Sequence, residues 1–106
     1  MSTAKRLAHN EATFREINER IEAGTWVSSA DDRIAFACEC AALGCNVLLE
    51  LTVAEYEAVR AHPRRFLLEP GHQLPAIETV VHRGEGYVVV EKRGDAADVA
   101  EVTDPR

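Results

Sequence analysis

The chain has 106 residues, of which 46% are hydrophobic and 28% are charged, a composition typical of a single globular domain. Its 18 acidic and 12 basic residues give a formal net charge of −6, which disfavours sequence-independent binding to nucleic-acid backbones. The apolar runs are too short to span a membrane, and the N-terminal segment MSTAKRLAHNEATFREINER has no apolar signal core. We therefore expect a cytoplasmic protein that is neither exported nor membrane-bound.

Residues 1–24 are predicted to form an amphipathic helix. Its apolar residues recur at intervals of seven, with one more between them: Leu7, Phe14, Ile21 and Ile17. Gly24 is a typical residue at a helix C-terminus. A narrow stripe of this kind fits a helix that packs on its own domain, docks on a protein partner or associates with a second copy of the chain. The metal ligands proposed below lie outside this helix, so we expect the metal site not to depend on it.

A hairpin is predicted next, after a linker at residues 25–32, where TWVSSADD is mostly polar. In RIAFAC, residues 33–38, large apolar side chains alternate with small ones, which is typical of a strand. NVLLELT, residues 46–52, is a second predicted strand. The two strands flank the segment CECAALGC, so the tip of the predicted hairpin carries all three cysteines of the chain.

A short helix and a strand are predicted to follow the hairpin. Thr52 and Glu55 have the spacing of a capping box, which favours a helix beginning at TVAEYEAVRAHP. Pro63 ends this helix, because the residue before a proline avoids helical dihedral angles. The segment FLLEPGH is predicted to be a short strand that runs into a turn at Pro70-Gly71.

The remaining sequence predicts a second hairpin and a tail. AIETVVHR and YVVVEKR flank the turn sequence GEG, which indicates two antiparallel strands. The acidic residues 95–106 are expected to form a flexible tail. The predicted fold class is therefore α+β: an N-terminal helix, then a small antiparallel β domain at residues 33–94 with one short helix, stabilised by a zinc knuckle.

The three cysteines lie within eight residues, at Cys38, Cys40 and Cys45. Because the number of cysteines is odd, any set of disulfides leaves one cysteine unpaired. Cys38 and Cys40 are two residues apart on a predicted strand, a spacing that does not suit a disulfide bond. Three thiolates around a tight turn are typical ligands of zinc, and Gly44 allows the backbone to bend beside the last of them. The alternative is three inert buried thiols, and we expect a structural zinc ion instead.

A fourth ligand is expected from one of the four histidines. We favour His72, because the preceding Pro70-Gly71 turn can aim an imidazole at a fixed point. His62, beside Pro63 at a helix end, is the second candidate. The predicted site is therefore Cys38, Cys40, Cys45 and His72. Three thiolates and one imidazole form a closed structural site that leaves no position for a catalytic water.

Five segments of the chain carry a family resemblance: FREINERIE, CEC-x4-C, LTVAEYEAVRAHPRRF, EPGH and ETVVHRGEGYVVVEKRG. Together they resemble a family of small uncharacterised bacterial proteins over nearly the whole chain from Phe14 onward. The resemblance implies the three cysteines and the Gly71-His72 pair as common features. Where that family has Gly and Asp after the second cysteine, this chain has AAL at residues 41–43, which removes no ligand. The resemblance implies one domain with a four-residue site and implies no function.

The sequence predicts a non-enzymatic protein. It contains no nucleophilic serine motif, no glycine-rich phosphate loop and no paired histidines with a glutamate on a helix. Glu39, between two cysteines, is expected to face solvent. The leading hypothesis is a zinc-stabilised interaction or regulatory module for another macromolecule, a protein, contacted through the N-terminal helix. The alternatives are a thiol or zinc redox sensor and an RNA- or ribosome-associated factor acting through residues 60–65.

Overall fold

A computed structural model describes residues 3–40, 42 and 44–106, and it describes side chains from Asn10 onward. Leu7 of the predicted stripe, the His9 imidazole, Ala41 and Leu43 lie outside this description. The elements in chain order are α1 (Thr3–Gly24), β1 (Arg33–Ala37), β2 (Leu48–Thr52), α2 (Val53–Arg60), β3 (Arg65–Leu68), β4 (Glu78–Arg83), β5 (Val88–Lys92) and α3 (Asp95–Val102). None of the helices in these residues is both long enough and apolar enough to cross a membrane.

Strands β1 and β2 form the predicted hairpin around the cysteine segment. They pair antiparallel, with Arg33 opposite Thr52 and Ala37 opposite Leu48. Every second side chain of each strand is buried, as the alternating sequence predicts, and these residues are Ile34, Phe36, Leu49 and Leu51. The hairpin therefore turns one face to the core and brings the cysteine segment to one end of it.

Strands β3, β5 and β4 form a second antiparallel sheet in that order. The predicted hairpin is confirmed: β4 pairs with β5, and the register shifts by one residue between Val80 and His82. The central strand β5 buries its apolar run at Val88, Val89 and Val90, whereas β4 is an edge strand with mostly exposed residues. The α+β class with antiparallel sheets is therefore confirmed.

Helix α2 begins where the capping box predicts. The Thr52 side chain accepts the Glu55 N–H at 3.2 Å, and the Glu55 carboxylate accepts the Thr52 N–H at 2.8 Å. Tyr56, one turn into α2, is fully buried and stacks on Phe36 of β1 with ring centroids 4.3 Å apart. This stacked pair joins α2 to the cysteine hairpin.

Residues 95–106 do not form the expected tail, because residues 95–102 are helix α3. Ala97 and Ala100 are buried against the rest of the protein. Beyond the helix, Asp104 forms an ion pair with the buried Arg60, and Arg106 contacts Glu57 at 2.7 Å. The segment is ordered because buried guanidinium groups elsewhere in the fold need the acceptors that it supplies.

Helix α1 also differs from its prediction, because the face that packs on the protein is mainly polar, and of the predicted stripe Ile21 is partly buried against the core. The residues of this face are buried and recur at helical spacing: Glu11, Arg15 and Asn18. Arg15 donates to the carbonyl oxygens of Pro63 at 2.8 Å and Ala100 at 2.7 Å. Its guanidinium also lies 4.4 Å from the centre of the Phe66 ring. The helix thus belongs to the core, whereas Ile17 of the predicted apolar stripe is 39% exposed.

A buried ionic cluster holds the first half of α1. The Lys92 ammonium of β5 contacts the carboxylates of both Glu11 and Glu78, and all three residues are buried. Burial raises the pKa of Glu11, and the charge of Lys92 opposes that rise. Removing one partner of such a cluster leaves an uncompensated buried charge, so the cluster fixes where α1 can dock.

Candidate metal centre

The cysteine segment leaves β1 without a break in hydrogen bonding. The Cys38 N–H donates to the Val47 carbonyl at 3.0 Å, which extends the hairpin ladder to the first cysteine. The Cys45 N–H donates to the Ala42 carbonyl at 3.2 Å and closes a turn. Gly44, within this turn, has a φ of +86°, a conformation that favours glycine and that the sequence analysis anticipated.

His72 reaches the cysteines from the other sheet. Its N–H donates to the Glu69 carbonyl at 3.0 Å, and Gly71 has a φ of +94°, so a tight turn directly after β3 presents the imidazole. His72 Nδ1 lies 3.7 Å from Cys38 Sγ and 3.7 Å from Cys45 Sγ. The structure therefore brings together the four residues that the sequence analysis selected.

The geometry of this cluster fits a tetrahedral metal ion. One ligand atom from each of Cys38, Cys40, Cys45 and His72 lies within 4.8 Å of all the others. In tetrahedral zinc with ordinary bond lengths, sulfur–nitrogen and sulfur–sulfur separations are about 3.6 and 3.8 Å. The observed 3.7 Å separations between sulfur and Nδ1 agree with the first value. Four protein ligands would complete the coordination sphere of such an ion, which is the arrangement of structural sites.

Burial determines the protonation of the free thiols. Desolvation raises the pKa of Cys38 to about 12 and also raises the pKa of Cys40. The Cys38 and Cys40 thiols of the metal-free protein are therefore protonated at neutral pH. A metal ion has to displace these protons, so its binding depends on pH.

Two backbone N–H groups are directed at sulfur atoms of the cluster. The Glu69 N–H donates to Cys38 Sγ at 3.2 Å, and the N–H of Ala42 is directed at the Cys40 thiol. Such donors offset the negative charge that accumulates when several thiolates share one ion, and they orient the ligands. Because Glu69 lies three residues before His72, the same loop supplies one ligand and supports another.

Glu39 is fully buried, so its expected exposure to solvent is wrong. The side chain enters the protein interior instead of reaching solvent. Its carboxylate accepts hydrogen bonds from Asn18 Nδ2 at 2.8 Å, the Tyr56 hydroxyl at 2.7 Å and the Leu67 N–H at 2.9 Å. Burial raises the pKa of Glu39, and these three donors oppose the rise.

The other described histidines lie away from the cysteine cluster. His62, the second candidate for the fourth ligand, lines a cleft of about 410 Å³ together with His82, Arg65 and Tyr87. The His82 ring lies 6.0 Å from the Tyr87 ring, and His62 is exposed at the end of α2. Geometry therefore favours His72 as the fourth member of the cluster.

Asn18 lies next to the site, and its role was not predicted from the sequence. Asn18 is fully buried, and its amide exchanges two hydrogen bonds with the backbone of Ala37, at 2.8 and 2.7 Å. A signal was present, because Asn18 follows Glu11 and Arg15 at helical spacing. The apolar stripe on the neighbouring face is the stronger pattern, and the prediction followed that stripe instead of the polar face.

Comparison with protein-family models, with curated proteins and with solved structures gave no match. The family resemblance in the sequence motifs thus stays an expectation. The inferences about function below come from the residues of this chain.

Proposed function

We propose that this chain is a small zinc-binding protein in which Cys38, Cys40, Cys45 and His72 hold one structural Zn²⁺ ion. The supporting observation is the convergence of three sulfur atoms and one imidazole nitrogen within 4.8 Å of one another. Calcium and magnesium prefer oxygen ligands, whereas thiolates with imidazole suit zinc. The ion would join the β1–β2 hairpin to the loop after β3, so that it stabilises the contact between the two sheets.

We further propose that the protein is a non-catalytic interaction or regulatory module whose partner is a protein. The docked face of α1 is polar, which leaves Ile17 on the same helix 39% exposed. Trp26, the only tryptophan of the chain, is 84% exposed two residues after the helix ends. Tryptophan is enriched among the residues that dominate binding energy at protein interfaces. These two residues mark the surface where we expect the partner to bind.

The charges of the structure favour a protein partner over RNA. Residues 60–65 motivated the RNA hypothesis, and each arginine in that segment pairs with a carboxylate. Arg60 is buried beside Glu19 and Asp104. Arg64 contacts Glu101 at 2.5 Å and Arg65 contacts Glu91 at 3.1 Å. Paired arginines offer less attraction to phosphates, and the overall charge of −6 repels them.

One observation favours the redox-sensor alternative. Cys38 and Cys40 are buried, whereas Cys45 is only half-buried. Oxidation of a thiolate follows its exposure, so an oxidant would reach Cys45 first and open the site from that side. Zinc release by low peroxide concentrations, reversed by a reductant and added zinc, would favour this alternative.

Two measurements test the proposal. Untagged protein purified under reducing conditions should contain about one zinc ion per chain by elemental analysis. For the interaction surface, Trp26→Ser should weaken binding to an isolated partner protein, or the self-association measured by light scattering. Val102→Ser is the matched control, because Val102 is 85% exposed on α3. Purified protein that contains no zinc would contradict the metal site. Equal effects of Trp26→Ser and Val102→Ser would contradict the interaction surface.

A further inference from the structure

We propose that Glu39 and Asn18 couple the metal centre to the docking of α1, so that metal binding controls whether this helix stays on the domain. The inference rests on the proposed zinc site and adds to it a regulated element. It assigns to both residues a positioning role: neither would touch the ion, and both would change how tightly the ion is held.

Glu39 lies between two residues of the metal-binding cluster, Cys38 and Cys40. Neighbouring side chains on an extended backbone point in opposite directions. Because Cys38 and Cys40 both belong to the ligand cluster, Glu39 points away from it, into the protein. An ion held by both cysteines therefore also fixes the direction of the carboxylate between them.

Glu39 also contacts the other sheet, at Leu67 of β3. Its backbone N–H donates to the Leu67 carbonyl at 2.7 Å, and its carboxylate Oε1 accepts the Leu67 N–H at 2.9 Å. A single residue thus satisfies both backbone groups of Leu67 at the edge of β3. His72, which follows β3, approaches the same cysteines, so the contact and the proposed coordination hold the same two segments together.

The Glu39 carboxylate also contacts α1. The other carboxylate oxygen of Glu39, Oε2, accepts from Asn18 Nδ2 at 2.8 Å and from the Tyr56 hydroxyl at 2.7 Å. The Asn18 amide also pairs with both backbone groups of Ala37, the residue directly before Cys38. One fully buried side chain of α1 therefore contacts two of the three residues from Ala37 to Glu39.

These contacts predict the consequence of metal loss. Without the ion, the direction of residues 38–40 is less constrained, and Asn18 loses the fixed acceptors that it needs in a buried position. A buried amide without partners is costly, so α1 should detach from the domain more often. Its detachment would expose the Arg15 side chain of the helix and the Phe66 ring on which that side chain packs. Coupling is reciprocal: a substitution that removes the Asn18 amide should weaken zinc binding, typically by about 5- to 150-fold for coupled sites.

The test compares zinc affinity and amide exchange in five full-length proteins, the wild type and four single variants. Asn18→Leu removes the amide, and Glu39→Gln keeps an acceptor of the same size. Arg20→Ala changes an exposed position of α1, where Arg20 pairs with Glu16. Zinc affinity is measured by competition with a chromophoric chelator, thermal unfolding shows that each variant is folded, and the visible spectrum of the cobalt form reports the ligand geometry.

We expect Asn18→Leu to weaken zinc binding about 10-fold or more, Glu39→Gln to weaken it less, and Arg20→Ala to leave it unchanged. A matched variant at the other end of the docked face, Glu11→Gln, should loosen α1 with a smaller loss of zinc affinity. When the metal is removed from the wild-type protein, the amides of residues 11–24 should lose their protection from exchange. They should lose it before the amides of the β4–β5 hairpin do.

Three results would overturn the coupling while leaving the zinc site intact. They are wild-type zinc affinity in folded Asn18→Leu protein, an equal loss of affinity in Glu11→Gln protein, and α1 exchange that does not respond to metal removal. A wild-type chain that binds no zinc would instead overturn the proposed function together with the coupling.

Discussion

The backbone N–H of Glu69 donates to the sulfur atom of Cys38 at 3.2 Å. This hydrogen bond joins the loop that carries His72 to the first cysteine without any contribution from an ion. The His72 N–H in turn bonds the Glu69 carbonyl at 3.0 Å, so the imidazole is positioned relative to the same residue. The cluster is thus arranged by the polypeptide, and an ion would bind to ligands that are already near their places.

The first prediction concerns the relative importance of the ligands. Cys40→Ser should weaken zinc binding more than His72→Ala, because a thiolate is a charged ligand and water can replace an imidazole. Each change should cost at least about tenfold in affinity. His62→Ala, a histidine outside the cluster, is the control and should bind zinc like the wild type. If His62→Ala loses more affinity than His72→Ala, the fourth ligand has been assigned to the wrong histidine.

The second prediction concerns Arg15, a fully buried residue on the docked face of α1. Arg15→Ala should destabilise the protein by about 2–5 kcal/mol, because it leaves the carbonyl groups of Pro63 and Ala100 without their donor. Denaturant unfolding of the zinc-loaded protein measures this change. The control is Arg20→Ala on the exposed face, expected within about 0.5 kcal/mol of the wild type. Equal stabilities of the two variants would mean that α1 does not dock through its polar face.

The contrast between α1 and the two hairpins shows how far the sequence predicts this fold. The hairpins follow from local patterns, such as the alternation around Phe36 or the GEG turn, because strand pairing over short loops is decided by neighbouring residues. The docking of α1 depends on residues far away in sequence: Arg15 bonds Ala100, 85 positions later. Composition and periodicity carry no information about such a pairing.

The same reasoning explains which parts of the candidate site were predictable. Three cysteines in eight residues and a histidine after a Pro-Gly turn are local signals, and they identified the four clustered residues. Glu39 was predicted to face solvent because alternation indicates the direction of a side chain. It does not indicate whether protein or solvent lies in that direction. The surroundings of Glu39 come from Asn18 and Tyr56 on two separate helices, which only the tertiary fold brings together.

The third prediction concerns pH and the pair of Glu22 and Glu57. Burial and the neighbouring Glu57 raise the pKa of Glu22 to about 7, while hydrogen bonds from Arg106 lower the pKa of Glu57 to about 2. A carboxyl group whose pKa is raised on folding stabilises the protein only while it is protonated, so its contribution is lost as pH rises from about 4.5 to about 7. Glu22→Gln should therefore stabilise the protein at pH 8, by on the order of 1 kcal/mol.

Thermal unfolding of zinc-loaded protein at pH 6 and pH 8 measures this effect. The stabilisation by Glu22→Gln should be larger at pH 8 than at pH 6, because the wild-type carboxylate is fully charged only at the higher pH. Glu16→Gln removes an exposed carboxylate from the same helix and is the control. A pH-independent difference between Glu22→Gln and wild type would show that Glu22 titrates at its ordinary pKa in the folded protein.

The fourth prediction concerns the C-terminal segment. Deleting residues 95–106 should destabilise the protein by about 3 kcal/mol or more, because the buried Arg60 loses Asp104 as a partner and Arg15 loses a carbonyl acceptor. The single change Asp104→Asn tests the ion pair alone and should have a smaller effect in the same direction. Unfolding curves that coincide for the full-length and truncated chains would restore the expectation of a flexible tail.

The last prediction concerns removal of the metal. A domain of this size has a free energy of unfolding of roughly 5–15 kcal/mol. A structural zinc site contributes about 10–16 kcal/mol of apparent binding free energy in small peptides near neutral pH. Because the two quantities are comparable, a strong chelator under reducing conditions should remove most of the stability of the chain. The Cys38 and Cys40 thiols left behind are buried and protonated, and they cannot replace the link between the hairpin and the His72 loop.

The order of the loss follows from the positions of the contacts. Strands β1 and β2 join directly to the cysteine turn, so their amides should exchange first, together with those of the second half of α1. The β4–β5 hairpin has its own ladder and buried valines, and it should keep protection longest. Circular dichroism and amide exchange with and without chelator measure both. A melting temperature unchanged in protein shown to be free of metal would mean that the apolar core suffices for folding, and the role of the four clustered residues would then have to lie in function rather than in stability.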